Sequence, residues 1–164
     1  MVERAWIRGA QRGSVDDLER LFREHWPRAL CAARLVTGDA AAAEDIAQEA
    51  FLAAVRNLDR FDRRRPFGPW LHRIVVNRAI DWTRARRLRA EVELGDYLAA
   101  PPAPEQNGDA FARIGDLPPE HRAVVVLRYL LEYTPGEIAE LLDLPRGTVN
   151  SRLRRGLDRM KRDA

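Results

Sequence analysis

The stretch LPRGTVNSRLRRGL, Leu144 to Leu157, sets Arg146, Thr148, Asn150, Ser151, Arg152, Arg154 and Arg155 around Val149 and Leu153, two apolar residues at helical spacing. Those side-chain types suit nucleic-acid recognition. Arginine reads guanine edges with two hydrogen bonds, asparagine reads adenine, and hydroxyls with helix N-terminal amides hold phosphates. From Leu144 to Arg162 the bases are opposed by one acid, Asp158, whereas Glu137, Glu140 and Asp143 crowd the preceding segment. Charge segregated in this way favours a surface that faces DNA over a merely solvated one.

A second stretch, RRRPFGPWLHRIVVNRAIDWTRARR, interleaves Arg63, Arg64, Arg65, Arg73, Arg78 and Arg84 with Phe67, Trp70 and Trp82. Arginines that follow a phosphate backbone and rings that stack on bases suit a single strand. On composition alone, Phe67 and Trp70 serve equally well as core residues. Covalent catalysis has little support: His25, His72 and His121 are scattered over three helices, with no nucleophile or glycine-rich phosphate loop at useful spacing. Glu44, Asp45 and Glu49 lack the convergent further ligand that a metal site needs. Cys31 is the only cysteine, which excludes an intrachain disulfide. The expectation is a protein that is not an enzyme and takes no cofactor.

The elements that must carry these residues are helical. Leu18, Leu21, Phe22, Trp26, Ala29, Leu30 and Ala33 recur at three and four from Val15 to Val36, with Ser14 and Asp17 as an N-cap pair. After Thr37-Gly38-Asp39, Ala43, Ile46, Ala47, Ala50, Phe51, Ala54, Val55 and Leu58 keep the period, so two helices pack antiparallel. FDRRRPFGPW reads as a loop because of Pro66 and Pro69, and a third helix starts at Trp70. In TPGEIAELLDLPRGTVNSRL, Thr134 and Glu137 form a capping box, Asp143-Leu144-Pro145 turns the chain, and small Ala139 lets two helices cross: helix-turn-helix spacing. The remaining helix runs from Pro119 to Leu131, and no strand alternation of useful length appears.

The fold class is therefore all-α: two small helical domains joined by a flexible linker, the C-terminal one a helix-turn-helix. Their expected bounds are 1–89 and 117–164, with residues 90–116 as an acidic, proline-containing linker. A chain of 164 residues with 46% hydrophobic and 32% charged residues is globular, and its net charge of +3 is too small to name a partner. No run approaches the ~20 apolar residues of a membrane span, and the N-terminus has no apolar leader, so a cytoplasmic location without membrane insertion is expected.

Three blocks in order resemble the extracytoplasmic-function (ECF) sigma factors of bacterial RNA polymerase. AEDIAQEAFLAAVRNLDRFD is similar to the family's polymerase-binding helix, Pro66 to Arg87 to its promoter-melting and minus-ten segment, and GEIAELLDLPRGTVNSRLRRGL to its minus-thirty-five reader. The resemblance implies a factor that directs RNA polymerase to promoters by recognising both elements and melting the minus-ten one. It implies that Asp45, Gln48 and Glu49, with Phe51 and Arg56 on the same segment, bind core polymerase through its β′ and β subunits. It implies that the loop Phe61 to Pro69 receives a flipped non-template base. Trp70, Arg73, Asn77, Arg78 and Asp81 fall in the adjoining WL..I..N...D pattern, where Asn77 contacts DNA or ties the helix to its neighbours.

Asn150 departs from the lysine common in the family, which bears on a phosphate contact or a base preference. An anti-sigma partner and a monomeric free state are further family expectations. The competing reading is a polymerase-independent helix-turn-helix regulator with an N-terminal signalling or oligomerisation bundle; a sigma mimic and a recombinase are others.

Overall fold

Seven α-helices carry the fold among the described residues, 1–93 and 113–162, of a computed structural model. The expected linker lies mostly outside them. α1 (Val2–Gln11) precedes the first helix that the apolar period predicts. It forms because Ile7, fully buried, and half-buried Trp6 and Ala10 give it an apolar edge. α2 (Val15–Thr37) starts at Ser14, whose hydroxyl accepts from the Asp17 amide, and stops at Gly38 in the left-handed region (φ 67°). Asp39 then caps α3 (Ala40–Arg56) by accepting from the Ala42 amide. The break read at Thr37-Gly38-Asp39 is a C-cap followed at once by an N-cap.

A short 3-10 turn, Leu58–Arg60, leads through an exposed loop to α4 (Phe67–Glu93). The helix begins three residues earlier than the prolines suggested. Pro69 lies in the first turn, where the missing N–H has no intrahelical acceptor and the ring meets no preceding carbonyl. α2, α3 and α4 pack on one another, and α1 lies across α2 and the 3-10 turn. Phe51, Phe61 and Phe67 form edge-to-face contacts at 5.9–6.2 Å between ring centres.

The second half holds α5 (Pro119–Tyr129), α6 (Pro135–Leu142) and α7 (Arg146–Arg162). α5 ends two residues short of the expected Leu131, because the chain turns there and Glu132 takes a positive φ of 61°. The capping box is present in full: the Glu137 amide donates to Thr134 Oγ1, and the Thr134 amide donates to a Glu137 carboxylate oxygen at 2.7 Å. Asp143 (φ 53°) closes α6 in the left-handed region. Val149 and Leu153 are buried, and Gly156 brings α7 so close to α5 that an added Cβ would lie 3.1 Å from a Val125 methyl.

The two halves do not stand apart. α5 packs on α2 and α4, α6 packs on α4, and residues of both halves join one buried apolar cluster. Polar contacts among the described residues also cross the junction. Arg122 Nη1 donates to the Val36 carbonyl at 2.7 Å, His72 Nδ1 and Tyr133 Oη lie 2.7 Å apart, and Arg84 pairs with Glu120 at 2.9 Å.

Candidate nucleic-acid interface

α7 presents its polar residues in two stripes. Thr148, Ser151, Arg152 and Arg155 recur at three and four and line one wall of a cleft of about 540 Å³. Arg84 from α4 and Glu120 and His121 from α5 line the rest. Arg146, Asn150 and Arg154, each four residues apart, stand exposed on the adjoining stripe. The apolar side of the helix is fixed on α5 and α6 by Val149, Leu153 and Gly156, so both stripes are held rigidly. Burial, with the charges of Arg152 and Arg155, depresses the His121 pKa, which keeps that ring neutral at neutral pH.

A second cleft, of about 960 Å³, separates α4 from α6. Arg60, Arg65, Arg73 and the half-buried Trp70 form one wall, and Glu137, Glu140 and Tyr133 the other. The Phe61 ring lies 4.5 Å from that of Trp70, with their planes at 32°, and both border this cleft. Guanidinium groups beside an open aromatic face can hold a phosphate backbone and stack a base. Here the wall opposite is acidic, so the basic face is turned toward carboxylates of its own chain.

The minus-ten candidates do not all converge. Arg65, Trp70 and Arg73 share the cleft, and Asn77 follows one turn on, exposed. Arg63 is exposed in the loop; Arg64 is paired to Asp62 at 3.1 Å, and that hydrogen bond holds the Asp62 carboxyl below its ordinary range. Arg78 reaches back to Glu49 on α3 at 3.0 Å, and Arg84 belongs to the α7 cleft. Phe67 requires a correction: at 1% exposure its ring packs among Phe51, Phe61, Trp70 and His25 and presents no face to a base.

Phe51 is corrected on the same ground, since at 6% exposure it packs against Phe22 and Phe67 instead of facing a partner. The other polymerase-binding candidates, Asp45, Gln48, Glu49 and Arg56, are exposed along α3, with Leu52 exposed among them. Sequence reasoning missed Gln11, Arg122 and Tyr133. A signal existed for Arg122, one of the two arginines that flank the apolar run Ala123–Leu127 of α5; none marked Gln11 or Tyr133, whose partners are distant in sequence.

A family model described as Sigma-70 region 2 matches residues 21–89, and one described as Sigma-70, region 4 matches residues 111–160. The ECF RNA polymerase sigma factor SigW of Bacillus subtilis (strain 168) is 36% identical over 143 residues, 76% of each chain. The chain belongs to the ECF sigma factors. SigL of Mycobacterium tuberculosis (strain ATCC 25618 / H37Rv) is 33% identical to this sigma factor over 158 residues, 91% of this chain and 89% of that one. The solved structure of CnrH in complex with the cytosolic domain of CnrY superposes with a TM-score of 0.73 at 27% identity, covering 98% of this sigma factor and 96% of that chain.

The all-α fold and the family resemblance read from the sequence therefore hold. The sigma factor directs RNA polymerase to promoters through its region 2 and region 4 halves. The polymerase-independent regulator is not favoured by these matches. Among the described residues, no helix is long and apolar enough to cross a membrane.

Proposed function

We propose a division of labour among three surfaces. The exposed α3 residues Asp45, Gln48, Glu49 and Arg56 dock on the β′ and β subunits of core polymerase in the cytoplasm. The α7 stripes read the minus-thirty-five duplex, and the wall formed by Arg65, Trp70 and Arg73 takes the melted minus-ten strand. The observation that carries the reading is the rigid mounting of Thr148, Ser151, Arg152 and Arg155 on one face of α7, which gives a helix able to enter a major groove. No covalent step is required of the sigma factor, since unstacking a base costs a few kcal/mol and is offset by strand contacts.

The minus-ten wall borders a cleft whose other wall is the α6 side of the opposite half, and Arg84 of α4 lines the α7 cleft. Promoter engagement accordingly parts the two halves, and the free, monomeric factor holds them together. CnrH was solved with a domain of CnrY, and an anti-sigma partner of that kind would bind this factor in its closed arrangement. The test is transcription from promoter fragments by core polymerase with and without the protein. Promoter-specific transcripts are expected, and tight binding to free palindromic DNA without any association with core polymerase would sink the reading.

At residue level, Arg152→Ala is expected to lose about 1–3 kcal/mol of binding to the cognate minus-thirty-five element and to relax sequence preference at one position. Competition between duplexes differing at single base pairs measures it. A phosphate contact would instead weaken all duplexes evenly and flatten the salt dependence. Equal use of every duplex by mutant and parent would remove Arg152 from the interface.

A further inference from the structure

α1 lies outside the region 2 match, which begins at residue 21, yet it touches the minus-ten wall through one side chain. Gln11, the last residue of α1, donates from Nε2 to the Leu58 carbonyl at 2.8 Å and to the Phe61 carbonyl at 3.1 Å. The amide must point its nitrogen this way, because its oxygen would face two acceptors. Both protons of one nitrogen thus bind the two ends of the turn from which the loop departs. The Phe61 amide also donates to the Leu58 carbonyl at 3.0 Å, so the turn is tied internally and to α1 at once.

The base from which Gln11 reaches is itself fixed. Ile7 is fully buried, and Glu3 Oε1 lies 2.7 Å from His25 Nε2. Gly9 sits so close to α2 that an added Cβ would fall 1.7 Å from an Asp17 carboxylate oxygen. A short, half-buried side chain on a rigid helix transmits that rigidity to whatever it bonds. What it bonds is the backbone of Phe61, whose largely buried ring packs against Trp70, and both residues line the cleft.

We infer that Gln11 is a positioning residue for single-strand capture, holding the Leu58–Phe61 turn so that Trp70, backed by the buried Phe61 ring, presents one fixed surface with Arg65 and Arg73. The inference rests on the assignment of that wall to the melted minus-ten strand. Gln11 touches no DNA in this scheme. It acts through the backbone, and so bears on how sharply a captured base is selected as well as on how tightly it is held.

The test uses the sigma factor bound to core polymerase, with two probes: a single-stranded minus-ten oligonucleotide carrying each of the four bases at the captured position, and a minus-thirty-five duplex. Gln11→Glu keeps the shape but sets carboxylate oxygens against two carbonyls. It is expected to weaken single-strand binding about tenfold and to compress the preference among the four bases, with duplex and core-polymerase affinities unchanged. Gln11→Lys, which restores N–H donors, is expected to recover most of the loss.

Parental single-strand affinity and base preference in Gln11→Glu would overturn the inference. So would an even loss of single-strand, duplex and core binding, or reduced helicity in both variants, since either marks a merely structural role. If the unaltered holoenzyme fails to select among the four oligonucleotides, the assignment of the wall itself falls, an outcome distinct from failure of the variant alone.

Discussion

Replacing Arg122 with methionine is expected to destabilise the C-terminal half by about 3 kcal/mol. Arg122 is 9% exposed, and its guanidinium donates to the carbonyls of Val36, Gly115 and Leu117 at 2.7–3.3 Å. Burial, and then the charge of Arg87, lowers its pKa from the ordinary arginine value, while Asp116 opposes them. A side chain that loses water on this scale is tolerated because backbone acceptors replace it. Methionine fills similar space but leaves those carbonyls without their donor, and lysine has no planar fork to reach three of them at once.

One acceptor has particular weight. The Val36 carbonyl lies in the last turn of α2, where carbonyls lack intrahelical partners and the helix dipole is negative, so a cation from the other half is favoured there. The four tryptophans, Trp6, Trp26, Trp70 and Trp82, all lie in α1 to α4. Fluorescence therefore reports the first half and circular dichroism reports both. In urea the two signals should coincide for the parent, while in Arg122→Met the loss of ellipticity should come first. Coincident transitions at the parental midpoint would show that Arg122 holds nothing together.

Acidification is expected to remove about 3 kcal/mol of stability through one ring, His72. It is buried, its Nδ1 bonds Tyr133 across the junction, and its Nε2 is buried without a hydrogen-bond partner among the described residues. Burial, followed by the charges of His25 and Arg28, pushes its pKa down to about 4 from an ordinary 6.5. Burial, with Glu137, pushes the Tyr133 phenol up to about 12, so its proton stays on the oxygen throughout. Between pH 6.5 and 4 the unfolded chain binds a proton at His72 that the folded chain refuses. Stability from this group is therefore complete above about pH 6.5 and falls as the pH drops toward 4.

His72→Asn keeps a polar partner for Tyr133 and cannot titrate. Urea midpoints at pH 7 and pH 4.5 should lie closer together in the variant than in the parent, after allowance for any offset at pH 7. Equal acid sensitivity in both proteins would assign the effect to carboxylates elsewhere.

Much of this architecture follows from local rules and could be read from residues alone. The Ser14 cap, the Gly38 stop and the Thr134–Glu137 box each join groups within four residues of one another, so the sequence carries the interaction whole. The apolar stripe of α7 is legible for the same reason. What sequence reasoning lost depends on residues that meet only in the fold. Gln11 finds its acceptors 47 and 50 positions away, and Arg122 finds Val36 at 86. Phe67 shows the limit from the other side: an aromatic residue beside arginines suits a base stack or a core equally, and only burial decides; Phe51, read on the polymerase-binding segment, is likewise claimed by the core.

The facing of the minus-ten wall by α6 of the opposite half gives those junction contacts a double role. If the promoter binds only molecules whose halves have parted, its apparent affinity is the intrinsic affinity reduced by the parted fraction. A closure preference of about 2.7 kcal/mol would leave about one molecule in a hundred competent. The His72–Tyr133 and Arg84–Glu120 contacts then enter two measurements with opposite signs, adding to the folded factor's stability and subtracting from its hold on DNA. Core polymerase, by binding the parted form, would restore the deficit, and DNA affinity measured on the free protein would understate what the holoenzyme achieves.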